Sequence, residues 1–101
     1  MTKVSMMGTI ECVDGKGDEM EAVLTEMVEA ARHEPGVEIY SYHRGDGDVF
    51  SFFALMADEA SMERHGQSDA MQAAMARFGP LMAAPPSMSR ATPIAAVGFD
   101  V

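Results

Sequence analysis

Apolar and polar residues alternate from residue 4 to residue 12. Val4, Met6, Gly8, Ile10 and Cys12 fall on one face, with Lys3, Ser5, Thr9 and Glu11 on the other. Successive strand side chains point to opposite faces, so this period of two predicts a half-buried strand. "VDGKGD" reads as a turn. The period then lengthens, and Met20, Leu24, Met27, Val28 and Ala31 recur at helical spacing. Asp18 stands where an N-cap belongs, with Glu21 three residues on in the capping-box relation. Acidic residues crowd the first turn, and Arg32 and His33 sit at the other end, as the helix dipole favours. Pro35 and Gly36 stop the helix.

"VEIYSYHRGDGDVFSFFALM" predicts two strands joined by a tight turn at "GDG". In the first, Tyr40 lies with Glu38 and Tyr42 on one face, opposite Val37 and Ile39. In the second, Phe50, Phe52, Ala54 and Met56 share a face, while Val49, Phe53 and Leu55 share the other with Ser51. Both faces are apolar, which predicts cover on both sides. Helices supply one cover, and a partner subunit is expected to supply the other. Asp58 caps a short helix ending at Gly66. Ser68 caps the next, with Met71, Met75 and Phe78 as its apolar stripe. "GPLMAAPPSMSR" predicts loop or a broken helical turn, because Pro85-Pro86 cannot continue a helix. "TPIAAVGFDV" predicts a final strand, with Pro93 near its start. The order β-α-β-β-α-α-β predicts an α+β, ferredoxin-like sandwich in a single domain spanning residues 1–101.

Composition narrows the functions. The formal charge is −9, and the seven Lys and Arg are scattered along the chain. A phosphate backbone would be repelled, so nucleic acid is not an expected partner. No apolar run approaches the roughly 20 residues that span a bilayer, so no membrane is expected either. "MTKVSMMGTIECVDG" is too short and polar for a signal peptide, which predicts a cytoplasmic protein. The one cysteine, Cys12, excludes an internal disulfide and a multi-cysteine metal site, and it reads as a small buried hydrophobe. The histidines have no ligand spacing, and no metal site is expected.

Chemistry is sparse. In "MERHGQSDAM", His65 ends a helix three residues after Met62. It has two readings. It closes the turn by bonding a carbonyl or the Ser68 region, or it serves as an acid, base or ligand contact. His33 and His43 are weaker candidates. Tyr40 and Tyr42, the only two tyrosines, either aim a hydroxyl at a ligand or sit at a subunit boundary. Many of the eleven methionines face a core. Met20, Met27, Met71, Met75 and Met56, with Phe50, Phe52 and Tyr40, are expected either to fill that core or to line a soft apolar cavity.

The runs "EPGVEIYSYHR" and "FSFFALMADEASMERHGQSDAMQAAMARF" together resemble the antibiotic biosynthesis monooxygenase family of dimeric α+β barrels. Glu34-Pro35-Gly36 before the second strand and His65-x-x-Ser68 between helices are the sharpest parts. The resemblance implies a homodimer whose sheets close into a barrel, and a pocket between sheet and helices in each subunit. It also implies oxygenase chemistry without a cofactor in some members and haem degradation in others. Family members often carry a glutamate and a tryptophan on the third strand, and the matching places here are Ala54 and Met56. The haem-degrading branch uses an asparagine, a tryptophan and a haem-ligating histidine. This chain has no Trp and no Asn, and Met75 stands at the histidine's place, so haem degradation is not expected. Two readings stay open. One is a cofactor-independent oxygenase of a small aromatic, quinol or polyketide-type molecule, with His65 as acid/base or anchor. The other is a non-catalytic small-ligand-binding or stress-response dimer.

Overall fold

A computed structural model describes residues 2–101. Its elements are β1 (Val4–Glu11), α1 (Gly17–Ala31), β2 (Val37–Arg44), β3 (Val49–Met56), α2 (Glu59–Gln67), α3 (Asp69–Phe78) and β4 (Ser87–Ala91). The strands form one antiparallel sheet in the order β2-β3-β1-β4. With the helices, this is the α+β, ferredoxin-like arrangement that the residue pattern predicts.

Two apolar clusters lie between sheet and helices. In the larger, Met20, Val23, Leu24 and Met27 of α1 meet Ala74 and Phe78 of α3 over Ile10, Cys12 and Phe50. In the smaller, Met62 of α2 packs on Val4, Ala54 and Met56. Burying such side chains contributes about 1.5–3 kcal/mol each. Cys12 is buried, and burial pushes its thiol above the ordinary value.

Glycine is required at one close approach. A Cβ on Gly8 would lie 1.8 Å from the Ser87 carbonyl oxygen of β4.

Three expectations need correction. First, Asp18 does not cap α1. The flanking residue is Lys16, which makes no side-chain cap bond, and the Asp18 carboxylate accepts from Arg44 Nη1 at 2.9 Å instead. The caps at Asp58 and Ser68 do form, each accepting a backbone N–H of its own helix.

Second, the final strand is Ser87–Ala91, and all of it but Ala91 lies in the stretch expected to be loop, while residues 92–101 form no strand. The register explains this. β4 runs antiparallel to β1, from Ser87 opposite Thr9 to Ala91 opposite Ser5. A longer β4 would run past the beginning of β1, and Pro93 has no N–H to donate. The tail instead reaches the outer face of the sheet. Phe99 lies 6.0 Å from Phe53, ring centre to ring centre, and Lys3 Nζ donates to the Asp100 carbonyl at 2.6 Å.

Third, the register of β2 against β3 shifts between Val37 and Ile39. Val37 therefore packs with Tyr40 against the smaller cluster, while Glu38 turns to pair with Lys3 at 2.8 Å.

Candidate functional site

β2 is an edge strand, and its inner face looks at α1. Tyr40, Tyr42 and Arg44 stand opposite Ala54, Phe52 and Phe50 of β3, which places all three on the helix side of the sheet. Spacing by two makes the phenols neighbours, and one donates to the other with the oxygens 3.0 Å apart. Tyr42 packs against the larger apolar cluster and Tyr40 against the smaller. Their hydrogen bond therefore spans the seam between the two clusters. Burial pushes both phenols above their ordinary range. For Tyr40, the Tyr42 hydroxyl and the Glu34 carboxylate push further in the same direction. Both are neutral at physiological pH. Two phenols carry two protons and their mutual bond uses one, so one O–H remains available for a ligand.

A cavity of about 400 Å³ opens between α1 and β2. Leu24, Thr25 and Val28 form the α1 wall, Tyr40, Ser41 and Tyr42 the strand wall, and Phe50 the floor. Glu21, Glu29 and Arg44 complete the lining. Arg44 is fully engaged. It bonds Asp18, Glu21 and Asp48 at 2.9, 3.1 and 2.7 Å, and its guanidinium lies 5.5 Å from the Phe50 ring centre. These carboxylates raise its pKa still further. Glu29 is held by Arg32 at 2.8 Å, which keeps its carboxyl below the ordinary range.

Behind the phenols lies a second pair. His65 is buried at the end of α2. Its Nδ1 is 2.8 Å from Glu34 Oε2, and its ring meets Tyr40 edge-on, with centroids 4.9 Å apart. The imidazole therefore does not bond the turn. Ser68 does that, donating its hydroxyl to the His65 carbonyl at 3.1 Å while accepting from Met71 N–H. The "EPG" stretch now has a physical basis. Glu34 reaches His65, and Gly36 takes φ of 86° where a Cβ would lie 1.9 Å from Ser61 Oγ, beside the α2 cap.

Tyr40 and Phe50 border the cavity. Phe52 stands behind it, its ring 5.6 Å from that of Tyr42. Met71 packs at the edge of the larger cluster. His65 reaches the cavity only through Tyr40. Met56 is fully buried in the smaller cluster and Met75 is 49% exposed, so neither faces the cavity. Ala74 takes the inward place on α3 expected for Met75. His33 is exposed, and His43 bonds Ser41 Oγ at the surface. Glu34, Glu21 and Arg44 were not singled out as site residues in the sequence. The "EPG" signature pointed to the first, and the third has the strand spacing of Tyr40 and Tyr42. Among the described residues, no group of three or more His, Cys, Asp or Glu converges to hold a metal ion, and no helix is long and apolar enough to cross a membrane.

Comparison with known proteins agrees with this architecture. Residues 3–77 match the family model for antibiotic biosynthesis monooxygenases. A candidate antibiotic biosynthesis monooxygenase of Caulobacter crescentus superposes with a TM-score of 0.88 at 25% identity, covering 93% of this chain and 92% of that one. The Rv0793 protein of Mycobacterium tuberculosis has a TM-score of 0.88 at 18% identity, covering 96% of this chain and all (100%) of that one. NE2512 of Nitrosomonas europaea, a protein of unknown function, has a TM-score of 0.85 at 24% identity, covering 100% and 98%. A search of curated proteins returns no match.

Proposed function

The chain belongs to the antibiotic biosynthesis monooxygenase family, and from that premise we propose that it is a cofactor-independent monooxygenase of a small aromatic, quinol or polyketide-type molecule. The observation that carries the reading is the hydrogen-bonded Tyr40–Tyr42 pair at the wall of an apolar cavity. Oxygenation without a cofactor needs an electron-rich substrate that loses a proton and gives an electron to dioxygen. One oxygen atom stays on carbon as a carbonyl and the other leaves as water. The protein's part is to hold the ring, stabilise the oxygen that becomes anionic, and limit side reactions. A neutral phenol with a spare O–H suits the second task, because it donates to an oxyanion without itself ionising. Leu24, Val28 and Phe50 suit the first. His65 acts through Tyr40, fixing its ring, while Glu34 fixes His65.

The protein works as a cytoplasmic homodimer. Met7, opposite Phe53, is an exposed large apolar side chain on the outer face of the sheet, and Ile94, Val97 and Val101 are exposed on the tail. A second copy covering that outer face would bury them and complete the cover expected for β3.

One observation favours a rival reading, a non-catalytic ligand-binding dimer. The only buried histidine stands behind Tyr40 rather than on the cavity wall. Oxygen uptake with a panel of hydroquinones and anthrones separates the two. Uptake that depends on the tyrosine pair supports the enzyme, and binding without uptake supports the rival.

A further inference from the structure

The charges at the cavity mouth are unequal. Arg44 is the one basic side chain of the lining, and three carboxylates from two elements share it: Asp18 and Glu21 of α1, and Asp48 before β3. That group carries two net negative charges. Glu29, also in the lining, is balanced by Arg32. The apolar wall of Leu24 and Val28 lies directly along α1 from Glu21, so a ring resting there lies beside an excess of negative charge. The whole chain, at −9, adds to the same field.

This field bears on the chemistry proposed above. A phenol in this cavity loses its proton, outward through the open mouth, before it meets dioxygen. The resulting anion stands near Glu21, which opposes ionisation. A protonated amine on the same molecule would keep its net charge at zero and would pair with Glu21. We propose that the cavity selects electron-rich aromatic molecules bearing a protonated amine, with the ammonium at Glu21 and the phenolic oxygen at the Tyr40–Tyr42 pair, and that it discriminates against carboxylated ones. This rests on the cavity being the ligand site of the proposed oxygenase.

The test is a matched series of naphthalene hydroquinones bearing an aminomethyl, a hydroxymethyl or a carboxylate group, titrated calorimetrically without oxygen. The expected order is aminomethyl, then hydroxymethyl, then carboxylate. The first and last should differ about tenfold at low ionic strength and less in high salt, as exposed charge pairs do. Glu21→Gln should reduce that ratio to about threefold. Glu63→Gln, the same formal change on α2 outside the lining, should leave it unaltered. Equal affinities, a tighter carboxylate, no binding by any member, or a ratio indifferent to Glu21→Gln overturns the proposal. Oxygen uptake is followed separately. An ammonium preference without uptake leaves the charge selectivity standing and removes the oxygenase reading. Uptake with a carboxylate preference does the reverse.

Discussion

The imidazole of His65 meets the ring of Tyr40 edge-on, with centroids 4.9 Å apart and planes at 85°. Its Nδ1 lies 2.8 Å from Glu34 Oε2, across 31 positions of sequence. A carboxylate from the turn after α1 thus orients a histidine of α2, and that histidine backs a phenol of β2.

The first prediction concerns this linkage. Glu34→Ala leaves a buried ring nitrogen without its partner and should cost about 1–3 kcal/mol. His65→Gln removes the aromatic contact with Tyr40, worth about 0.5–1.5 kcal/mol. The two changes share one interaction, so their effects should not add. A double-mutant cycle by urea unfolding should give a coupling of about 1 kcal/mol, and strict additivity would show that the pair is not formed.

Alkaline titration gives a second prediction. Burial raises both phenols in the folded state above the ordinary tyrosine value of about 10. The unfolded chain therefore releases phenolic protons at lower pH than the folded one. This stabilisation is fully present below the unfolded value and is lost as pH rises towards the folded values. Tyr40 and Tyr42 are the only two tyrosines, so tyrosinate absorbance reads them alone. It should appear together with loss of the circular dichroism signal. Free titration near the ordinary value with the fold intact would place both phenols in water.

Gly36→Ala is a third. The position has φ of 86°, and the new methyl would fall 1.9 Å from Ser61 Oγ, displacing the residue that bonds the α2 cap Asp58. Thermal unfolding should show a loss of about 1–3 kcal/mol. An unchanged midpoint would mean that the turn relaxes freely.

A fourth prediction concerns assembly. The exposed apolar residues of the outer sheet face and tail predict a sedimenting mass near twice the 10.9 kDa of the chain at micromolar concentration. A clean monomer would remove the paired-sheet account.

The strands and helices were legible where one period ruled. The alternation in β1 and β3 and the stripe of α1 each mark a buried face. β4 was not legible, because all five of its residues are exposed and "SMSRA" has no apolar face to reveal. The tail misled for the opposite reason. Its Ile94 and Val97 suggest a strand, yet both lie exposed beyond the point where β1 can pair. At the site, the Tyr40–Tyr42 pair follows from strand spacing. The Glu34–His65 bond does not, since no local period relates a post-helical turn to a distant helix end. Met75 has the spacing of a core residue, but the smaller Ala74 faces inward where α3 meets α1, leaving the methionine outside.

The most direct test of the oxygenase account is oxygen consumption by wild type and the Tyr40→Phe/Tyr42→Phe double variant over a panel of hydroquinones and anthrones. Either phenol alone would still have a free O–H once its partner's hydroxyl is gone, so both are replaced, which keeps the rings and removes only the hydroxyls. The account predicts uptake with at least one substrate and a loss of about 10²-fold in the folded double variant, the scale of one lost oxyanion donor. No uptake across the panel, or a folded double variant as active as wild type, would contradict it.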